Sequence, residues 1–443
     1  MTATLLKRAA ELAELATPLR YGRVSQVVGL SLTVSGLDAR IGDLVQLGDG
    51  GHADLAEVVA VGQDECTCLP LGEMAGIGAG LRARSTGAPL RIQVGDALRG
   101  RVLDGLGRPL DGTALPAGLE TVSVERAAPS ALLRRRVEQP LSLGVRAIDT
   151  LISVGRGQRL GIFAGSGVGK SSLMSMITRG TTAEITVVAL IGERGREVRE
   201  FLENDLGDEG LKNAIVVVAT SDQPPMVRLR AAFVATRIAE FFRDAGRDVL
   251  LLMDSITRLA TAQREIGLSA GEPPASRGYP PSVFAMMPRL LERAGGGERG
   301  SITGLYTVLV EGEDHNEPVA DTARSILDGH IVLDRRLATA GHFPSIDVLE
   351  SVSRVTGAVT DAEQRRVARE ARRLLAARRD VKELVEIGAY VTGTNPDADR
   401  ALQLWPALEG FLQQRMEDQS SAGAAWQSLA AIVDSVPAPA GPQ

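Results

Sequence analysis

Residues 164–171 read Ala164-Gly165-Ser166-Gly167-Val168-Gly169-Lys170-Ser171, directly after the apolar run Leu160–Phe163 and before Ser172-Leu173-Met174. An apolar run, a glycine-rich stretch and then helix-forming residues predict a strand, a phosphate-cradling loop and a helix. Glycines let backbone N–H groups curl around phosphate oxygens, and the helix N-terminus adds the positive end of its dipole. The expected chemistry of Gly165, Ser166, Gly167, Val168, Gly169, Lys170, Ser171 and Ser172 is therefore binding of a nucleoside triphosphate such as ATP. Lys170 would reach the β- and γ-phosphates, and the Ser171 hydroxyl would ligate Mg2+. Ala164 stands where the stricter motif has its first glycine. Lys170 is also one of only four lysines, with Lys7, Lys212 and Lys382, among 49 basic residues, so its place in this loop is informative. Hydrolysis needs a second acidic anchor for the metal at the end of a neighbouring strand. Asp254, after Val249-Leu250-Leu251-Leu252-Met253, is that candidate, and its alternative role is to cap the following helix.

These groups need a frame. From residue 141 to about 355, the strand-like runs Leu160–Phe163, Ile185–Ile191, Ile215–Ala219, Val249–Met253, Leu305–Val310 and Ile331–Leu333 alternate with helical stretches. That alternation predicts an α/β fold with a largely parallel sheet covered on both faces. Before it, residues 21–89 form short alternating runs punctuated by Gly29, Gly36, Gly42, Gly48, Gly50 and Gly51, which suits a small β-barrel. The boundary between the two falls between about residues 88 and 100. After Thr360 the chain turns helical and arginine-rich, and Arg365, Arg366, Arg369, Arg372, Arg373, Arg378 and Arg379 are expected on a solvated face or a partner surface. Leu5, Leu6, Ala9, Leu12, Ala13 and Leu15 recur at helical spacing, and Pro437-Ala438-Pro439-Ala440-Gly441-Pro442 cannot form a packed element. The expected organisation is an amphipathic segment over 1–18, a β-barrel over 19–90, a P-loop domain over 91–358, a helical domain over 359–434 and a disordered tail over 435–443.

Composition narrows the function. With 443 residues, 44% hydrophobic and 23% charged, the chain is expected to be globular rather than disordered. A formal charge of −6 and 3% aromatic residues disfavour a nucleic-acid partner, because both the basic field and the stacking rings are scarce. Cys66 and Cys68 can make neither a disulfide framework nor a four-ligand zinc site by themselves, and His52, His315, His330 and His342 lack metal-ligand spacing. No window approaches the roughly 20 apolar residues that span a bilayer. Lys7 and Arg8 follow Leu5 and Leu6, the reverse of a signal peptide, so a cytoplasmic location is expected.

Gly192-Glu193-Arg194-Gly195-Arg196-Glu197-Val198 resembles the motif of catalytic subunits in rotary ATPases and their protein-export relatives. The segments Pro140-Leu141-Ser142-Leu143-Gly144-Val145-Arg146-Ala147-Ile148-Asp149, Gly278-Tyr279-Pro280-Pro281-Ser282 and Asp321-Thr322-Ala323-Arg324 are similar to that family, as is Phe343-Pro344-Ser345-Ile346-Asp347 through Ser351-Val352-Ser353-Arg354. The resemblance covers nearly the whole chain. Its wording is nearest the type III export ATPases, and Thr220-Ser221-Asp222-Gln223-Pro224-Pro225 with Ile387-Gly388-Ala389-Tyr390 leans to the flagellar branch over the virulence injectisome.

The resemblance implies a RecA-like P-loop core between an N-terminal barrel and a C-terminal helical domain. It implies that Glu193 activates the attacking water, with Lys170 and Arg194 beside it in the catalytic set, and that Ser171 and Asp254 hold Mg2+. Non-catalytic subunits of rotary ATPases lack a glutamate at this place. Phe343 would lie against the adenine or else belong to the core. Arg354 would reach into a neighbouring chain's site, so one polypeptide could complete every site of a homo-oligomeric ring, and the resemblance implies six subunits. The implied partners are export-apparatus stalk and regulator proteins, export chaperones and their cargo, with peripheral contact at the cytoplasmic face of the inner membrane. Two other readings share this core. A catalytic subunit of a rotary ATP synthase would need a second polypeptide for its ring, and a ring-shaped RNA translocase would need an RNA-binding barrel, whereas residues 20–89 hold one aromatic, Tyr21.

Overall fold

The computed structural model describes residues 21–48, 54–310 and 317–436. The expected amphipathic helix over 2–16 and the Pro/Ala-rich tail from Pro437 lie outside the described residues.

Six antiparallel strands close into a barrel: β1 (Gly22–Val28), β2 (Ser31–Ser35), β3 (Leu44–Leu47), β4 (Asp54–Val61), β5 (Glu65–Pro70) and β6 (Arg82–Ser85), in the order β1-β2-β5-β4-β3-β6. Alternation sets the interior: Leu32 and Val34 of β2 and Cys66 and Cys68 of β5 point inward and are buried. The two cysteine sulfurs lie 3.8 Å apart, packed among Val24, Val45 and Val58.

The second body is a sheet of eight strands in one path: β7 (Val102–Asp104), β8 (Arg159–Ala164), β9 (Ile185–Glu193), β10 (Ala214–Thr220), β11 (Asp248–Asp254), β12 (Ser301–Leu309), β13 (Gly329–Leu333) and β14 (Ile346–Ser353). Their order is β14-β13-β8-β12-β11-β9-β10-β7, with a short ninth strand, Gly295–Gly296, paired to β12. Every neighbouring pair along the path is parallel except β13 with β14. Besides the short Gly295–Gly296 strand, two strands are not marked by the sequence pattern. β7 has three residues inside a Gly/Pro-rich passage, and β14 runs antiparallel, which sends its C-terminal end back to the end of the sheet where the parallel strands begin.

Both faces are covered, as a parallel sheet requires. Val187, Ala189 and Ile191 of β9 pack on the side of helices α3 (Pro225–Asp244) and α4 (Ile256–Ser269), whose positions follow α1 (Lys170–Gly180) and α2 (Gly195–Glu200) in the chain. Val188 and Leu190 face the other way, towards α1 and the C-terminal helices. Helix α5 (Pro281–Leu291) packs beside α4. Arg230 of α3 pairs with Glu57 of the barrel and with Glu125, so a buried ion cluster clamps the barrel to the sheet domain.

The C-terminal region is three helices, α6 (Ala362–Glu386), α7 (Pro396–Leu412) and α8 (Ala422–Asp434). Asp361 and Gln364 form a reciprocal capping box that starts α6. The arginines of α6 lie on a largely solvated face as expected, with Arg365, Arg366, Arg369, Arg373 and Arg379 exposed, but several also bind within the fold. Arg372 donates to the carbonyls of Leu151 and Ser351, Arg378 stacks over Trp405, Arg379 pairs with Asp347 and Glu350, and Arg366 pairs with Asp434. These side chains rivet the helical domain to itself and to β14, because a guanidinium donates to several oxygens at once.

Candidate functional site

Strand β8 ends at Ala164 in the middle of the sheet, and α1 begins at Lys170. Between them the loop turns at Gly167 and Gly169, with φ of 75° and 86°. A side chain at Gly169 would also meet the Phe343 ring at 3.3 Å, so glycine is required there twice over. The helix has no side-chain N-cap, which leaves its first N–H groups free for an anion. Ser345 Oγ donates to the Val168 carbonyl at 2.6 Å, and Arg335 Nη2 donates to the Ser166 carbonyl at 3.4 Å, fixing the loop from outside. Ser166 and Ser171 are exposed and Ser172 is half-buried.

Lys170 reaches across to two carboxylates: Nζ lies 2.6 Å from Asp254 Oδ1 and 3.3 Å from Glu193 Oε1. Asp254 ends β11 and is buried, and its other partner is Thr307 Oγ1, which donates at 2.6 Å from the adjacent strand β12. Ser255, not Asp254, caps α4, accepting from the Arg258 N–H, so the capping alternative for Asp254 does not apply. Glu193 is brought in by a bulge in β9. The register slips between Ile191 and Glu193, and Gly192, at φ 72°, carries no Cβ to strike Arg258 at 2.8 Å.

Charge follows from this geometry. Burial raises the Glu193 carboxyl first, and the nearby Asp254 charge adds to it; Lys170 opposes both, and the outcome is a pKa of about 7. Burial alone would lower Lys170, but Asp254 and Glu193 outweigh it and hold its pKa above the ordinary lysine value. A carboxylate that titrates near neutrality suits a group that must take a proton or orient water. Only its ionised form can accept, so kcat/KM for ATP should rise as pH increases through about 7 and level off above it. A steady-state profile from pH 5.5 to 9 checks this. A flat profile across that range contradicts the assignment.

The oxygen ligands the structure sets together are the Asp254 carboxylate and the Thr307 hydroxyl, and the Ser171 hydroxyl follows Lys170, whose Nζ reaches Asp254. Oxygen sets of this kind suit a hard cation such as Mg2+. Thr307 was not legible as a site residue, and its only signal was one hydroxyl near the end of an apolar strand. Thr307→Val keeps the shape and removes the hydrogen bond to a charged group, a loss of about 1.5–3 kcal/mol. It should cut turnover by ten-fold or more and lower the thermal midpoint by only a few degrees, leaving the chain folded. Unchanged turnover would make Thr307 a packing residue alone.

Two candidates, Arg194 and Arg354, stand apart from this pocket. The Arg194 side chain is 79% exposed and pairs with Glu197 at 3.4 Å, outside the group formed by Lys170, Glu193 and Asp254. Phe343 is 45% exposed against the glycine loop, which places it at the site and not in the core. Arg354 lies elsewhere altogether. It follows β14, and its backbone N–H donates to the Asp328 carbonyl at 3.0 Å; Asp328 in turn pairs with Arg159 at the start of β8. Six residues of β8 at about 3.3 Å each separate that end of the sheet from the glycine loop, roughly 20 Å. Its side chain is exposed and, among the described residues, makes no ion pair.

Sequence profiles of known families match three consecutive parts of the chain. They are the beta-barrel domain of the ATP synthase alpha/beta family over residues 24–87, its nucleotide-binding domain over 144–353, and the T3SS EscN ATPase C-terminal domain over 360–431. A flagellum-specific ATP synthase from Bacillus subtilis is 52% identical over 402 residues, 90% of this chain and 92% of the relative. A type 3 secretion system ATPase from Xanthomonas euvesicatoria is 48% identical over 433 residues, 97% of this chain and 98% of the relative. Among solved structures, the assembled ATPase EscN from the enteropathogenic E. coli type III secretion system superposes with a TM-score of 0.88 at 46% identity, covering 93% of this chain and all of EscN. EscN in complex with its central stalk EscO gives 0.87 at the same identity.

Proposed function

Because the chain belongs to the family of flagellum-specific ATP synthases and type 3 secretion system ATPases, we propose that it works as a homo-oligomeric ring of six that energises export of flagellar proteins through a type III apparatus. It is an ATPase. The observation that carries the ring is the position of Arg354, at the end of the sheet opposite its own glycine loop, where only another chain's phosphates can meet it.

In this reading Gly165–Ser172 cradle the phosphates and Lys170 leaves its carboxylate partners for the β- and γ-oxygens. Ser171 and Asp254 would hold Mg2+, which neutralises charge on the phosphates when bound. Glu193 orients the attacking water and accepts its proton, Phe343 shields the base, and Arg354 of the adjoining chain stabilises charge on the transferring phosphoryl group. Arg194 closes the catalytic set from the solvent side. EscN has been solved with its central stalk, and by analogy the exposed apolar residues at the end of α6 and in the loop after it, Leu384, Ile387 and Val391, are the surface proposed for a stalk. Chaperones and cargo would engage the assembled ring at the cytoplasmic face of the membrane. Among the described residues no helix is long and apolar enough to cross a bilayer.

Expression in a bacterium lacking its own flagellum-specific ATPase tests the function. Restored motility that Glu193→Gln abolishes is the expected result. Restored injectisome secretion without motility would favour the virulence branch, to which the superposed EscN belongs.

A further inference from the structure

Leu132 is 96% exposed and Leu133 is 55% exposed, side by side in the turn Ala131–Leu133, an arrangement that leaves two large apolar side chains in water. A series of contacts fixes where they sit. Arg134 donates to the Ala294 carbonyl and pairs with Glu292, Glu292 pairs with Arg159, Arg159 pairs with Asp328, and Asp328 accepts from the Arg354 N–H. The leucine pair therefore lies at the same end of the sheet as Arg354. At the opposite end, a cleft of about 360 Å³ opens between the barrel and the loop after β10. Leu30, Met74, Pro225, Met226 and Ile266 line it, and Glu73 and Asp222 stand at its rim. Its loop is bound to the catalytic strand, since the Ser221 N–H donates to the Glu193 carbonyl at 3.0 Å.

We propose that Leu132 and Leu133 of one chain insert into this cleft of the next copy of the same chain, setting the register in which Arg354 meets its neighbour's glycine loop. The inference rests on the ring reading and adds to it the apolar contact that holds the interface. Knob and cleft lie at opposite ends, the arrangement of a head-to-tail interface that closes into a ring. Their charges complement. Arg135 and Arg136 follow the knob and have no carboxylate partner among the described residues, while Glu73 and Asp222 beside the cleft have no cationic one.

Chains in which Cys66 and Cys68 are replaced by alanine and one new cysteine is introduced test the register. Leu132→Cys chains mixed with Glu73→Cys chains in the presence of a non-hydrolysable ATP analogue should form a linked pair with a short bismaleimide, and neither variant should link alone. Arg354→Cys mixed with Ser166→Cys reports the ring itself. Both knob and ring links are expected. A ring link without a knob link overturns this inference and spares the ring. Absence of both overturns the ring reading and the inference with it. In parallel, Leu132→Glu/Leu133→Glu should weaken self-association at least ten-fold by sedimentation while the isolated chain still binds ATP. Undiminished association would contradict the knob. The residues are too exposed for a folding defect to mimic the loss.

Discussion

Arg354→Ala chains should bind ATP as the parent does and hydrolyse it about 10³–10⁵-fold more slowly, the range found when a guanidinium that stabilises a transferring phosphoryl group is removed. The reason is spatial. Each chain's own loop, Lys170, Glu193 and Asp254 sit at the C-terminal ends of β8, β9 and β11, and Arg354 sits at the other end of the sheet. Removing it leaves the binding pocket of the same chain intact and strips only the neighbour's site of positive charge. Nucleotide binding by calorimetry and phosphate release in parallel read the two effects separately. Loss of binding along with turnover would mean that Arg354 supports its own chain's fold, as a salt-bridge role would require.

Glu193→Gln should likewise retain ATP binding and lose turnover, by about 10²–10⁴-fold, because the amide keeps the size of the side chain but cannot accept a proton. It also removes one of the two carboxylates that hold Lys170. Lys170 keeps Asp254 at 2.6 Å, so the loop should stay ordered and affinity for ATP should hold or increase slightly. The rise of kcat/KM through neutrality should vanish from whatever activity remains. If Glu193→Gln kept the pH limb, the titrating group would be another and Glu193 would not be the base.

Local pattern carried much of the site. Lys170, Ser171 and Asp254 were legible because a buried strand followed by glycines, or by one acid, has few other uses, and the sheet strands announced themselves as short apolar runs. What escaped depends on contacts distant in sequence. Thr307 matters only because β12 lies beside β11 in a register that sets its hydroxyl against Asp254. The pairing of Lys170 with Glu193 depends on a bulge at Gly192 that no periodicity records. The motif around Arg354 could be recognised by its wording, but its place at the far end of the sheet follows from the antiparallel run of β14, which the sequence does not announce. The arginines of α6 read as a solvated face, and most of them are exposed, but the contacts some of them make were not legible. Their acceptors lie on Leu151, Ser351, Asp347 and Asp434, far away along the chain.

Whether two chains complete one site is tested most directly by mixing two dead variants. Arg354→Ala chains keep Glu193 and lack the finger; Glu193→Gln chains keep the finger and lack the base. After subunit exchange at equal amounts, shown independently by fluorescence, roughly one head-to-tail interface in four joins an intact Glu193 to an intact Arg354. ATP hydrolysis should then rise well above the sum of the separate variants, towards a quarter of the parent rate if interfaces act independently. An exchanged mixture that stays as inactive as its parts, while parent chains added in small excess keep their full rate, would place Arg354 in its own chain's site and contradict the account.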